Sequence, residues 1–295
     1  VENKSNGIKH EFSPGDIDLL MISFKGISVT SNAVVTLLNH GVDVVFLDSR
    51  GRPTGRIYPP FINKTVNTRR RQYETFLMDK KWVIVASIVE AKLRNQANLL
   101  KYFSKSRGIY ELKDIAYEIL RIARELPKVL GDASKVINIE ARAAIAYWDG
   151  ISTLLPHDIG FESRNHDSVD PFNICLNYTY ALLYSECWKV LVLAGLDPYA
   201  GYLHKDRSGK ESLVFDYSDM FKPSLVDKML IKLFNSGWRP EIEGGLLTHN
   251  SRRRLIKEFY KRLEYKVRSS DGKAIQLKGA LKRYALSLAS FIRGE

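Results

Sequence analysis

Cysteine is scarce in this chain, which has only Cys175 and Cys187 among its 295 residues. Both lie in one long apolar stretch whose residue spacing predicts a helix. Twelve residues along a helix span roughly 18 Å, whereas a disulfide joins Cα atoms less than about 7 Å apart. The two thiols therefore cannot pair within that helix. This excludes a small disulfide-stabilised secreted domain and favours a reducing, cytoplasmic location.

A hydrophobic run long enough to span a membrane is also missing. The most apolar segment, residues 178–195, includes Glu186 and Lys189. A spanning helix needs about 20 residues with few or no charges. Residues 1–10 are polar and charged and do not resemble a secretory signal. We therefore predict a buried core helix in this segment and no membrane partner.

Acidic residues are outnumbered by basic ones. There are 33 Asp and Glu against 45 Lys and Arg, which gives a formal net charge of +12 and a pI near 9.5. This excess favours a polyanionic partner, with nucleic acid first and an anionic membrane surface second. A basic protein without such a partner has the same composition, so charge alone does not decide between the two.

The hydrophobic pattern changes its period along the chain and predicts an α+β fold. Short β-type segments bounded by turn residues occupy the first part, at residues 17–22, 26–30, 42–47 and 54–58, with a tight turn at residues 48–53 and a short helix after Ser31. Helical spacing then prevails, at residues 69–102, 112–126, 136–151, 172–194, 225–234, 252–267 and 277–293. We predict a small β-rich N-terminal domain over residues 1–72 and a larger all-helical domain over residues 73–295.

The residues that point to chemistry surround a polar, Gly-containing loop. His204 stands at its near end, and Asp216 and Asp219 stand three residues apart in the helix predicted after it. That spacing puts both carboxylates on one helix face. An imidazole with carboxylates suits Mg²⁺ or Mn²⁺ beside a phosphodiester. Glu140, followed by small residues and then aromatic ones, is the best third ligand, although helix capping and surface ion pairs would explain the same residues.

Four blocks of the sequence resemble the CRISPR-associated endonuclease/integrase family, the catalytic subunit of spacer acquisition. They are residues 26–51, 92–100, 140–148 and 170–227. The matching positions include Lys92, Asn95, Gln96, Glu140, Ala143, Ala144, Tyr147, Trp148, Asn173, Tyr180, Gly201, His204, Asp216, Asp219, Pro223 and Asp227. The sequence departs from the family pattern at Ala141, at Lys222 and in residues 165–168. The resemblance runs in one colinear order over roughly residues 17–235.

This resemblance carries specific expectations. It implies that Glu140, His204 and Asp219 are catalytic and bind Mg²⁺ or Mn²⁺, with Asp216 as an accompanying catalytic acid. It implies insertion of captured DNA into a CRISPR array by attack of a 3′-hydroxyl on a phosphodiester. The expected partners are double-stranded, branched or frayed DNA, a second copy of the chain joined through the N-terminal domain, and a small adaptation subunit.

Two arginine triplets are candidate DNA contacts, because guanidinium groups bind phosphate. They are Arg69, Arg70 and Arg71, and Arg252, Arg253 and Arg254. Solvated helix faces would contain the same residues. Two other functions remain open: a metal-dependent nuclease or branched-DNA resolvase that does not integrate, and a non-catalytic nucleic-acid-binding scaffold.

Overall fold

The computed structural model of the chain describes residues 2–3, 8–17, 19–22, 26–48, 53–58, 65–204, 209–268 and 272–295. The chain forms two compact units, Val1–Ile62 and Asn63–Glu295. The first contains short strands and the second is mainly helical. The predicted α+β class is therefore confirmed.

The first unit is built on a three-stranded sheet. Strand β3 (Leu19–Ile22) pairs in parallel with β4 (Asp43–Leu47), and β4 pairs antiparallel with β5 (Pro53–Ile57). The parallel pair needs a crossover connection, which helix α1 (Ser31–Asn39) supplies. Two shorter strands, β1 (Glu2–Asn3) and β2 (Ile8–Lys9), form a separate hairpin. Strand β4 is the buried centre of the sheet, with Val44 and Val45 fully buried.

Two predictions for this unit concern the segments 26–30 and 48–53. The strand predicted at residues 26–30 is wrong, because residues 27–30 form no strand. Thr30 instead caps α1, where its side-chain oxygen accepts a hydrogen bond from the Ala33 N–H at 3.2 Å. Capping by a threonine hydroxyl satisfies an otherwise unpaired N–H at the helix start. In the turn predicted at residues 48–53, positions 49–52 lie outside the described residues.

The second unit consists of long helices and two small hairpins. Its helices are α2 (Thr65–Leu77), α3 (Lys81–Arg107), α4 (Glu111–Ala123), α5 (Ala133–Ser152), α6 (Pro171–Leu193), α7 (Ser212–Asp219), α8 (Lys228–Asn235), α9 (His249–Leu263) and α10 (Leu277–Arg293). The hairpins pair β6 (Ile242–Glu243) with β7 (Leu246–Leu247), and β8 (Lys266–Arg268) with β9 (Ala274–Gln276). A wide helical turn, Pro223–Asp227, leads into α8.

The helix predicted over residues 69–102 is divided in two. Helix α2 ends at Leu77 and α3 begins at Lys81, with a hydrogen-bonded turn between them in which Lys81 N donates to Met78 O at 3.1 Å. No glycine or proline marks this break, so local propensity did not reveal it. Similarly, the helix predicted to reach Val267 ends at Leu263, and Val267 lies in strand β8.

Helix α6 is the central helix of the second unit. Pro171 occupies its first turn, and the Asp170 carboxylate accepts a hydrogen bond from the Asn173 N–H at 2.8 Å. Both cysteines lie on α6, buried and unpaired, as their spacing predicts. None of the helices in the described part of the chain is both long and apolar enough to cross a membrane.

A buried carboxylate connects α6 to its neighbours. Asp227, 1% exposed, accepts hydrogen bonds from the Tyr147 hydroxyl at 2.6 Å and from the Tyr180 hydroxyl at 2.7 Å. Burial raises the pKa of Asp227 above its usual range, although both tyrosine hydrogen bonds act in the opposite direction. This polar network fixes α5 and α6 against the wide turn before α8, because an unpaired polar group in the interior is costly.

We predict that Asp227→Ala lowers the free energy of unfolding by about 2–4 kcal/mol, because two buried tyrosine hydroxyls lose their acceptor. Urea denaturation followed by circular dichroism measures this loss. Asp227→Asn keeps an acceptor and carries no charge, so its loss should stay below about 1 kcal/mol. An Asn variant as unstable as the Ala variant would contradict this account of the network.

Candidate active site

Two carboxylates from separate helices meet at one lysine. The Lys92 Nζ, on α3, lies 2.9 Å from the Glu140 Oε1 on α5 and 2.6 Å from the Asp219 Oδ2 at the end of α7. The three side chains are 19%, 12% and 7% exposed, respectively. The ammonium therefore lies between two acids that are largely shielded from water, where electrostatic attraction is stronger than at the surface.

A second lysine neutralises the same aspartate. The Lys222 Nζ forms an ion pair with the Asp219 Oδ1, so that each carboxylate oxygen of Asp219 has its own ammonium partner. Burial alone would raise the pKa of Asp219, but the charges of Lys222 and Lys92 hold it well below its usual range. Burial would likewise lower the pKa of Lys92, which Asp219 and Glu140 raise above its ordinary value. Asp219 is thus ionised, and two ammonium groups balance its charge.

His204 is held in place by Asp216. The imidazole Nδ1 lies 2.5 Å from the Asp216 Oδ1, and the backbone N–H of His204 donates to the same oxygen at 3.1 Å. The other oxygen, Oδ2, accepts hydrogen bonds from the N–H groups of Tyr202 at 2.7 Å and Leu203 at 3.1 Å. One fully buried carboxylate therefore orders the whole segment that carries the histidine. This hydrogen bond to Asp216 raises the pKa of His204, and the charges of Asp219 and Glu140 raise it further.

Gly201 allows this segment to approach α7 closely. A Cβ atom at this position would lie 2.7 Å from the Ser212 Cβ, 2.9 Å from the Ser212 backbone carbon and 3.0 Å from the Asp216 Oδ2. Real Cβ contacts are not this short, and the Ser212 backbone cannot move aside as a flexible side chain would. Any other residue would push the His204 segment away from Asp216.

The buried side chain of Gln72, on α2, anchors the loop that precedes Gly201. Its Nε2 donates to the carbonyl oxygens of Asp197 and Ala200, both at 2.9 Å, and its Oε1 accepts from the Asp197 N–H at 2.8 Å. Three hydrogen bonds to main-chain atoms leave this loop little freedom. Helix α2 thereby determines the position from which the chain approaches the site.

The structure thus brings the predicted acids Glu140 and Asp219 together around Lys92, and it places the Asp216 carboxylate within hydrogen-bond distance of the His204 ring. Helix α7 begins at Ser212, so Asp216 and Asp219 lie in its second half, and capping does not explain either residue. Within the part of the chain that is described, no three His, Cys, Asp or Glu side chains are arranged to hold a metal ion. The ligand set of Glu140, His204 and Asp219 stays a prediction.

The donor set nevertheless fits a hard divalent cation. Carboxylate oxygens are what Mg²⁺ and Mn²⁺ prefer, and the Lys92 ammonium already marks a position that favours positive charge between two of them. A metal-bound histidine commonly uses its second ring nitrogen to bond a carboxylate. The Nδ1 of His204 does so with Asp216, which leaves Nε2 for coordination.

A cavity of about 160 Å³ opens beside these groups. Its walls are basic and aromatic and include Lys92, Trp148, Arg164, His166, Tyr180, Tyr184, Asp219 and Lys222. Arg164 is held in this wall by hydrogen bonds to Asn173 at 2.9 Å and Asn177 at 2.6 Å. Such walls attract an anionic ligand toward the paired carboxylates.

The two arginine triplets lie on helices α2 and α9. Successive residues of a helix point about 100° apart, so neither triplet forms a single face. Arg69 and Arg252 are half-buried, whereas Arg70, Arg71, Arg253 and Arg254 are exposed. Arg71 pairs with Glu74 at 2.9 Å, and Arg254 pairs with Glu258 at 3.2 Å. Their contact with DNA stays a prediction.

Three residues of the site have no role that the sequence alone predicts: Lys92, Lys222 and Gln72. Lys92 stands among apolar residues of α3 such as Val89 and Leu93, and Gln72 lies on the buried side of α2. A charged residue on an apolar helix face, or an amide on any buried face, signals a buried polar partner. That signal does not identify the partner, which lies 125 or more positions away for both Gln72–Asp197 and Lys92–Asp219.

Comparison with known proteins defines the class. A family profile described as CRISPR associated protein Cas1 matches residues 1–261. The chain is 40% identical over 291 residues to the CRISPR-associated endonuclease Cas1 2 of Saccharolobus solfataricus, covering 98% of this chain and 88% of that protein. This chain therefore belongs to the Cas1 family of CRISPR-associated proteins.

Solved structures show the same fold. A casposase bound to an integration product superposes with a TM-score of 0.83 at 27% identity, covering 96% of this chain and 81% of the casposase. A chain of a Cas6-RT-Cas1–Cas2 complex gives a TM-score of 0.76 at 22% identity, covering 99% of this chain and 33% of that one. The casposase is similar to this chain in sequence as well as in fold, whereas the similarity to the second structure shows the fold alone.

We predict that Lys92→Met lowers the melting temperature in chelator by several °C, because two acids then face each other without their shared ammonium. Adding Mn²⁺ should raise the melting temperature of this variant more than that of the unmodified chain, since the ion no longer competes with the lysine. Differential scanning fluorimetry measures both effects. Lys257→Met, on an exposed position of α9, is the control. A Mn²⁺ response no larger than that of the control would count against a cation at this position.

Proposed function

We propose that this chain is a divalent-metal-dependent DNA endonuclease/integrase that inserts captured DNA fragments into a CRISPR array. The observation that carries the proposal is the meeting of the Glu140 and Asp219 carboxylates at the Lys92 ammonium, next to a histidine oriented by Asp216. Membership in the Cas1 family and the 27% identity to a casposase bound to its integration product support it.

Glu140, Asp219 and the Nε2 of His204 would hold Mg²⁺ or Mn²⁺. When bound, such an ion neutralises the charge that develops on a phosphodiester and lowers the pKa of a bound water or hydroxyl. Asp216 acts through His204, because it fixes the ring orientation and leaves one nitrogen for the ion. Asp216 is therefore a positioning residue in this scheme.

The two lysines, Lys92 and Lys222, would help to place a phosphate of the DNA strand at the site. Lys222 is half-buried beside Asp219, and its Nζ also lies 5.0 Å from the centre of the Tyr180 ring and 5.2 Å from that of Tyr184. Its positive charge offsets the acids, so that a phosphate can approach them without net repulsion. Lys92 does the same from the opposite side and would turn toward a phosphate oxygen when the acids bind their ion. Both lysines help align the attacking and leaving oxygens.

The chemistry of a single step does not separate integration from cleavage. In cleavage a water attacks the phosphorus, and in integration the 3′-hydroxyl of a captured strand attacks it, with a strand oxygen as the leaving group in both. The casposase relative, bound to an integration product, favours the joining reaction for this chain. A nuclease or branched-DNA resolvase remains the second candidate, because it would use the same residues and ion.

We predict that Glu140→Ala lowers strand joining at least about 100-fold while DNA binding is retained, since a bound cation contributes several kcal/mol to a phosphoryl-transfer barrier. Labelled DNA ends and a plasmid target in Mn²⁺ measure joined and cleaved products in the same gel. Glu125→Ala is the matched control, because it removes only a surface ion pair with Arg142.

The outcomes separate the alternatives. Joined products that disappear in Glu140→Ala support the integrase. Cleaved ends without joined strands would replace it with the nuclease or resolvase. Binding that is indifferent to chelator, with no product of either kind, would leave only the non-catalytic scaffold.

We propose that the working assembly contains a second copy of this chain, a small adaptation subunit and DNA with branched or frayed ends. The first unit exposes large apolar side chains, among them Phe12 at 63% and Val35 at 53%, which is consistent with an interface. The small partner is implied by the family resemblance of this chain. Light scattering should give twice the chain mass of 33.7 kDa, and Phe12→Ser with Val35→Ser should lower it. A monomeric unmodified chain would refute the dimer.

A further inference from the structure

A compact group of cations surrounds one exposed tyrosine on the second unit. We call it the Tyr102 cluster, formed by Tyr102, Lys228, Lys232 and Arg262. The Lys228 Nζ lies 3.4 Å from the centre of the Tyr102 ring, and the Lys232 Nζ lies 5.2 Å from it. Arg262 is fixed nearby, with its Nε and Nη2 donating to the Ser224 carbonyl oxygen at 3.0 and 2.9 Å. Two ammonium groups of α8 thus lie over Tyr102 near the end of α3, and the Arg262 guanidinium of α9 lies close enough to act on Lys228 electrostatically.

Within the described residues, no carboxylate lies within salt-bridge distance of Lys228, Lys232 or Arg262. Two surface arginines of the same unit, in contrast, each pair with a carboxylate. Arg142 contacts Glu125 at 2.7 Å, and Arg239 contacts Asp158 at 2.8 Å. The tyrosine ring attracts an ammonium but does not neutralise its charge.

This environment changes the pKa of Lys228. Burial, followed by the charges of Arg262 and Lys232, lowers its pKa to about 8. A lysine keeps its ordinary pKa when it has a carboxylate partner or free access to water. The Tyr102 cluster therefore carries positive potential that the protein itself leaves uncompensated, and an anion would relieve it.

The Tyr102 cluster lies close to the candidate active site along two connections. Tyr102 and Lys92 stand on the same helix, ten residues or roughly 15 Å apart along its axis. The wide turn Pro223–Asp227 runs from the Lys222 end of the site to Lys228. A nucleic-acid strand that passes the paired carboxylates could reach the cluster within a few nucleotides.

We propose that the Tyr102 cluster is a phosphate-binding site for the DNA strand that enters or leaves the active site. This inference rests on the proposed function, since it assigns the ligand as a nucleic-acid backbone. A row of phosphates suits several unpaired cations at different depths, whereas a protein acid would satisfy only one or two. Lys232 is exposed and Lys228 is half-buried, so together they reach phosphate oxygens from the surface inward.

The experiment compares two charge-matched double variants. Lys228→Gln with Lys232→Gln removes two charges one helical turn apart on α8. Lys257→Gln with Lys261→Gln removes two charges at the same spacing from exposed positions of α9. Fluorescence anisotropy of a labelled branched DNA, in chelator, gives the dissociation constant between about 50 and 200 mM salt.

Each lost phosphate contact should reduce the slope of log affinity against log salt by about 0.9. The cluster variant should therefore lose one to two units of slope, and its affinity at low salt should fall about tenfold or more. The control variant should keep the slope of the unmodified chain. The single variant Lys232→Gln, at an exposed position, should lose about 0.9 units of this slope. It replaces the double variant in the comparison if the double variant has a lower melting temperature.

Equal slopes in the cluster and control variants would overturn the proposal. So would an unchanged slope combined with weaker binding to an acidic protein subunit, which would identify the Tyr102 cluster as a protein contact. The two failures remain distinguishable. If the unmodified chain binds no DNA, the proposed function falls together with the cluster. If it binds DNA and Glu140→Ala abolishes joining, equal slopes remove the cluster alone.

Discussion

A single ammonium group between two carboxylates is the interaction on which the second unit depends. Lys92 joins Glu140, 48 positions away, and Asp219, 127 positions away, so three helices must pack together before the site exists. Two acids in a shielded place would repel each other strongly without a positive charge between them. The lysine stabilises the fold by supplying that charge. It also holds the two carboxylates close together and, with Lys222, lowers the pKa of Asp219.

The rest of the site is arranged by groups that act through hydrogen bonds to the main chain. Asp216 accepts from three successive N–H groups and holds the His204 ring, while Gln72 fixes the loop before Gly201. Such bonds to the backbone position a whole segment, not one side chain. A flexible loop is thereby given one conformation near the acids, and a histidine that would otherwise be mobile acquires a defined direction.

The basic residues in the described part of this chain differ in whether they form a salt bridge with a carboxylate. Lys92 and Lys222 are paired within the site, and Arg142 and Arg239 are paired at the surface. The Tyr102 cluster differs because its cations face an aromatic ring and one another. The formal charge of +12 is therefore a poor guide to where an anion binds. The local balance of charges decides that, since nearby acids cancel the potential within a few ångströms.

The sequence by itself determined the α+β class, the approximate positions of most long helices and, through family resemblance, the candidate site residues Glu140, His204 and Asp219. Hydrophobic period and capping are local properties of the sequence. The blocks that contain Glu140, His204 and Asp219 are likewise visible in the sequence without any structure. The sequence did not reveal the break between α2 and α3, for which no glycine or proline gives a signal. Only the tertiary structure decided that Lys92 joins the acids, that Gln72 holds the loop and that Lys228 forms no salt bridge within the described residues. Each of these depends on a partner distant in the chain, and packing, not local propensity, selects that partner.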